Sequence, residues 1–382
     1  MSSKLICNIF QLITNSNRDL GIIENAAFVI ENGKVAWVGE NKNAPDCDQK
    51  IDANGGVVTP GFVDSHTHAV FAGDRHKDYV ARMAGTKYAS GGIRTTVEAT
   101  RSATFEELTT LTKSIVHRSF NSGTTTIEIK SGYGLDIETE VKILKVAKQF
   151  TDETTFLGAH VLPKEFSDER SAYVEIVKGE MLNACAPFAK WIDVFCDESA
   201  FSVDEAREIL EAGISKGLQG RIHGNQIADS GGADLAAELQ LASVDHCTHV
   251  SDKSISKLAE AGVVATLLPG AEFFTKSPFP NGQRYLDAGV EVALASDCNP
   301  GSSFITSMPL VMGLAVREMN FSPAQALYAA TMGGAKALRR SDVGHLNVGA
   351  RADFVIWQAP TFEHITYRLG EIDREVFSSK NF

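Results

Sequence analysis

Apolar positions recur in two rhythms along the chain. At both ends, over residues 5–51 and again over 343–357, they come in short alternating runs separated by turn residues. Alternation with period two marks half-buried strands. Residues 27–30 and 34–38 flank Asn32-Gly33 and read as a β-hairpin, because Asn-Gly accepts the left-handed backbone of a tight turn. So few strands cannot bury a core by themselves. The two ends are therefore expected to share one small β-sandwich, residues 1–58 with 340–382, into which the middle of the chain, 59–339, is inserted.

In that middle stretch the rhythm changes. Short β-branched or apolar runs start near residues 57, 124, 155, 191, 220, 243, 263 and 291, with helical patterns such as 138–149 and 233–241 between them. Eight strands alternating with helices predict the α/β class and a (β/α)₈ barrel.

Chemistry collects at the ends of those runs. In extended backbone, positions i and i+2 face the same way, so His66 and His68 can point two imidazoles into one cavity. Of ten histidines, His66, His68, His160, His223 and His246 all close an inferred barrel strand, and Asp297 closes the eighth. The C-terminal rim of such a barrel is where ligands far apart in sequence meet. His66, His68, His223 and Asp297 form a three-histidine, one-carboxylate set suited to one divalent or trivalent ion, zinc or iron, with a position left for water. The inferred fourth strand ends Phe195-Cys196-Asp197-Glu198. It carries no lysine that carboxylation could turn into a bridge to a second metal, which favours a mononuclear site.

Composition narrows the partners. A net charge of −12 argues against nucleic acid or an anionic membrane surface as the main partner, but a local cation still permits a small anionic substrate. The six cysteines are scattered without a C-x-x-C pair, which fits a reducing compartment. No apolar run approaches the ~18 residues of a membrane span, and no signal-peptide pattern opens the chain. A cytoplasmic protein is expected.

Two motifs carry a family resemblance. They are Val58-Thr59-Pro60-Gly61-Phe62-Val63-Asp64-Ser65-His66-Thr67-His68 near the start and Gly344-x-Leu346-x-x-Gly349-x-x-Ala352-Asp353 near the end. With the strand-end histidines and Ser296-Asp297 they resemble the amidohydrolase superfamily over nearly the whole chain. Residues 71–75, 127–135, 157–160 and 296–303 resemble, more narrowly, members that open an imidazolone ring bearing a propionate.

The resemblance implies specific roles. Arg75 would bind the propionate, as a planar guanidinium grips a carboxylate with two hydrogen bonds. Tyr133, His160, Gln226, Asn299, Gly301 and Ser302 would contact substrate or product, with His160 near the ring carbonyl. Some relatives carry Glu where this chain has Gln226, and an amide cannot act as a general base. Proton transfer then falls to Asp297, with His246 orienting water or stabilising the oxyanion. A homodimer is also implied. Two rival readings remain open from sequence: another mononuclear relative such as a nucleobase or aminohydrolase-type deaminase, which would not need Arg75 for a carboxylate, and a barrel retained for binding without turnover.

Overall fold

A computed structural model describes residues 3–86, 92–198 and 200–379. The chain begins with three antiparallel strands, β1 (Lys4–Ile13), β2 (Ile22–Glu31) and β3 (Lys34–Glu40). Asn32 and Gly33 between β2 and β3 have φ of 52° and 73°, the doubly left-handed turn that suits a hairpin's twist. Two further strands, β4 (Gln49–Asp52) and β5 (Val57–Pro60), lie parallel to the two halves of β1.

The run 57–68, which reads as one strand in the sequence, is divided by Gly61. Its N–H donates to the Asp353 carbonyl, and a Cβ there would sit 2.1 Å from Thr125 Oγ1. That close approach lets the chain leave the small sheet and start another. Ten short strands follow: β6 (Phe62–Asp64), β7 (Thr124–Ile127), β8 (Ile129–Lys130), β9 (Thr154–Ala159), β10 (Trp191–Cys196), β11 (Gln219–Gly220), β12 (Ile222–Gly224), β13 (Ser243–His246), β14 (Val264–Leu267) and β15 (Val292–Leu294). They fill eight barrel positions, because β7 and β8 continue one another across Glu128, and β11 and β12 across Arg221. All pairings between them are parallel.

The seam between first and last barrel strands closes beyond their ends. Asp297 N–H donates to His66 O at 3.1 Å and His68 N–H to Cys298 O at 3.0 Å, with Thr67 and Cys298 forming a parallel bridge. Asp64 reinforces the seam from below, its Oδ1 accepting the Ser296 N–H at 3.0 Å. Helices cover the outside, several opened by reciprocal caps such as Thr104 with Glu107 and Ser202 with Glu205.

The chain then returns to the small sheet with β16 (Phe354–Trp357) and β17 (Arg374–Phe377), β16 running antiparallel to β5. Strand alternation decides what this sheet touches. Leu12, Val58 and Ile356 belong to its own buried core, whereas Ile13, Val57 and Trp357 join the core of the barrel. One face thus welds the terminal sheet to the barrel. We predict that Gly61→Ala lowers the free energy of unfolding by about 1–3 kcal/mol, the usual cost of forcing extra volume into a packed site, measured by denaturant titration.

Candidate metal centre and substrate pocket

The seam places the late aspartate on the early histidine pair. His66 Nε2 and His68 Nε2 lie 3.5 and 3.6 Å from Asp297 Oδ1, and His223 Nε2 lies 3.2 Å from His68 Nε2. Such spacings are those of donor atoms sharing a single small cation at ~2.0–2.2 Å. All four side chains are buried. His66 Nε2 and Asp297 Oδ2 have no hydrogen-bond partner among the described residues. Buried polar atoms without partners are what a bound ion satisfies, and the donors that converge within 4.8 Å form two triads sharing His66, namely His66–His68–Asp297 and His66–His223–His246. His246 also turns a ring nitrogen toward His66 and His223, within 4.8 Å of theirs. It and Asp297 hold left-handed backbone, φ 83° and 49°, a strain that clusters at functional sites.

A layer of buried charge lies beneath these side chains. His66 Nδ1 donates to Asp245 Oδ2 at 2.7 Å, and His223 Nδ1 lies 3.0 Å from Asp193 Oδ2. The hydrogen bond to Asp245 leaves His66 Nε2 as the free electron pair, whereas the His223–Asp193 contact is a close approach without hydrogen-bond geometry. The two carboxylates are neutralised in turn. Lys130 Nζ reaches Asp193 Oδ2 at 2.9 Å and Glu128 Oε1 at 3.0 Å. Arg221 Nη2 donates to Asp245 Oδ2 at 3.0 Å.

Burial, with Lys130 and the neighbouring rings, holds His66 and His68 neutral. Burial alone would raise Asp193, yet His223 and Lys130 keep it well below the usual carboxylate range. Asp297 is pushed well up by burial, and Glu272 and Asp64 add to this. A cation beside it would reverse that shift. Sequence reasoning passed over Glu128, Lys130, Asp193, Arg221 and Asp245. Their signal was present, since each is a charge inside an otherwise apolar strand run.

Above the ligands lies a cavity walled by His68, Arg75, Tyr133, His160, Gln226, His246, Asp297, Asn299 and Ser302. Gly301 is not in its wall; it packs against Arg75, where a Cβ would meet Nη1 at 2.2 Å. Its carbonyl accepts from Arg82 Nη2. Arg75 is held by Asp78, Nε to Oδ2 at 2.8 Å. Asn299 shapes its own loop: Oδ1 accepts the N–H groups of Gly301 and Ser302, and Nδ2 donates to the Asp297 carbonyl. Asp197, given no role from sequence, accepts the Gln226 and Ile227 N–H groups on Oδ2, both at 2.9 Å.

His160 stacks on His68, centroids 5.0 Å apart, and its Nδ1 lies 2.9 Å from the Gly132 carbonyl. A carbonyl can only accept, so Nδ1 carries the proton and Nε2 is an acceptor. Burial lowers the His160 pKa to about 3, so the ring is neutral.

The amidohydrolase family pattern matches residues 57–376. The imidazolonepropionase of Mycolicibacterium smegmatis is 54% identical over 374 residues, covering 97% of this chain and 94% of that protein. That of Salinispora arenicola is 55% identical over 375 residues, covering 97% and 96%. This chain belongs to the imidazolonepropionase family of amidohydrolases.

Among solved structures, a guanine deaminase from C. acetobutylicum with bound guanine superposes with a TM-score of 0.71 at 16% identity, covering 98% of both chains. An adenosine deaminase from Xanthomonas campestris with bound zinc gives 0.69 at 16% identity, covering 98% of this chain and 91% of that one. Those two share the fold. Among the described residues, no helix is long and apolar enough to cross a membrane.

Asp245 faces the back of His66, so Asp245→Asn is expected to weaken metal affinity by about 10–100-fold, read by competition against a chelator.

Proposed function

We propose that this protein hydrolyses the ring of 4-imidazolone-5-propanoate to N-formimidoyl-L-glutamate. The observation that carries this reading is the pairing of two metal-competent triads, His66–His68–Asp297 and His66–His223–His246, with a guanidinium, Arg75, on one cavity. A propionate offers this cation an opposite charge as well as two acceptor oxygens, whereas a neutral nucleobase offers it only uncharged acceptors.

His66, His68, His223 and Asp297 would hold the ion, and their imidazole and carboxylate donors suit zinc or iron. Such an ion supplies Lewis acidity and lowers the pKa of water to near 7. The remaining chemistry belongs to the chain. Arg75, oriented by Asp78, grips the propionate and fixes the ring's register over the histidines. His160 Nε2, an acceptor, pairs with a ring N–H rather than with the carbonyl oxygen. The neutral His246 has one N–H to offer the oxygen as negative charge develops on it.

Asp297 Oδ2, which no protein donor engages, takes the proton from the attacking water. It then delivers that proton to the ring nitrogen as the carbonyl carbon–nitrogen bond breaks. The carbonyl carbon leaves as a carboxylate and the nitrogen as part of the formimidoyl group. Gln226 orients the ring through its amide and moves no proton.

The direct test is ring opening of freshly prepared imidazolonepropanoate by metal-replete protein, with guanine and cytosine as competitors. Turnover of the first alone is expected, and turnover of a nucleobase instead would select the deaminase reading. In the same assay Arg75→Met is expected to raise KM at least 10-fold with metal content unchanged, since a lost charge-assisted hydrogen bond is worth about 1.5–3 kcal/mol.

A further inference from the structure

The loop between β8 and the helix Ile137–Ala147 carries Tyr133 and the carbonyl that orients His160. It is wrapped around one side chain, the buried Glu140 in the first turn of that helix. Glu140 Oε1 accepts the N–H groups of Gly134 and Leu135, both at 2.8 Å, and Oε2 accepts that of Gly132 at 3.0 Å. The Ser131 hydroxyl hydrogen-bonds the same carboxylate.

Glu140 forms no ion pair among the described residues, so N–H and O–H donors alone compensate its charge. A buried charge costs several kcal/mol to desolvate, and the fan of donors is what stabilises it. The loop backbone is held in a form that few residues adopt, φ 107° at Gly132 and 57° at Leu135. A Cβ on Gly132 would lie 2.9 Å from His160 Nδ1. The carboxylate, the loop and the imidazole are therefore in direct succession.

We propose that Glu140 is a positioning residue for substrate recognition. By fixing the Gly132 carbonyl it holds the proton of His160 on Nδ1 and keeps Nε2 an acceptor toward the ring, and through the same loop it sets the Tyr133 ring beside it. This assignment rests on the ring-opening reading for its substrate, but the positioning itself is a property of the chain. An apolar side chain could fill the same space; it could not pin the backbone donors of Gly132, Gly134 and Leu135 in one arc.

The experiment compares Glu140→Gln, which keeps the shape and replaces one acceptor by a donor, with the full-length wild-type protein. Expected results are a KM raised about 10-fold or more, kcat changed less, metal content unchanged, and faster amide exchange at residues 132, 134 and 135. In histidine-labelled protein, the ¹⁵N resonances of His160 should move from the pure Nδ1–H form toward a tautomer mixture. In a His160→Ala background Glu140→Gln should add less than about 3-fold. Fully multiplicative losses, an unmoved His160 tautomer, or a wild-type KM would overturn the proposal.

Should Glu140→Gln fail to fold, Ser131→Ala, which removes one donor and leaves the carboxylate, is expected to give a KM increase of about 2–5-fold with the same His160 signature. Absence of that signature would equally overturn it. If the wild-type protein does not open the imidazolone ring, the exchange and ¹⁵N measurements still decide the role of Glu140, and only the substrate reading falls.

Discussion

Two backbone hydrogen bonds across the barrel seam, Asp297 N–H to His66 O and His68 N–H to Cys298 O, are the constraint on which the rest depends. They join segments more than two hundred residues apart in the chain. Among the described residues no ladder connects β15 to β6 directly; the backbone hydrogen bonds between the two segments form only where both have run past their strands into the site. Closing the barrel and assembling the metal-competent centre are therefore one event. A closure of such long range carries a high loop entropy, and the surrounding strands must be placed before it is rewarded.

Beneath the seam, the barrel interior is unusual in its polarity. Where such barrels are filled mainly by branched apolar side chains, this one buries Glu128, Lys130, Asp193, Arg221 and Asp245 together. Isolated, each would be prohibitively costly; as an alternating network each charge is paired and each carboxylate has a second task. Asp245 turns His66 so that Nε2 looks upward, Asp193 Oδ1 accepts the His223 N–H, and Glu128 Oε2 accepts the Thr67 N–H between the two early histidines. The same device recurs around the cavity. Glu140 gathers the loop of Tyr133, Asp197 the turn of Gln226, and the Asn299 side chain the turn after the eighth strand. The loops around the cavity are thus fixed by side-chain acceptors, Glu140 and Asp197 from outside its wall and Asn299 from within it.

How much of this was legible beforehand follows from the range of the interactions. The Asn32-Gly33 hairpin, the strand–helix alternation and the strand-end positions of His160, His223 and His246 were visible because each is a local pattern, set by period and turn chemistry within a few residues. The division of 57–68 at Gly61 was not. It depends on Thr125 pressing against the glycine, a contact that no periodicity announces. The place of Gly301 was likewise out of reach, since only the packing of Arg75 against it moves it out of the cavity wall.

By itself, then, the sequence determined the inventory: where the strand-like runs lie, which histidines stand near their ends, and that a guanidinium follows the first histidine pair. Local backbone preference and side-chain alternation suffice for that. Only the tertiary structure decided which nitrogen of each histidine is free, which acids are charged, and which carboxylates serve as anchors. Those outcomes turn on desolvation and on partners a few ångströms away in space but tens to hundreds of residues away in the chain, and such partners exist only once the barrel has closed.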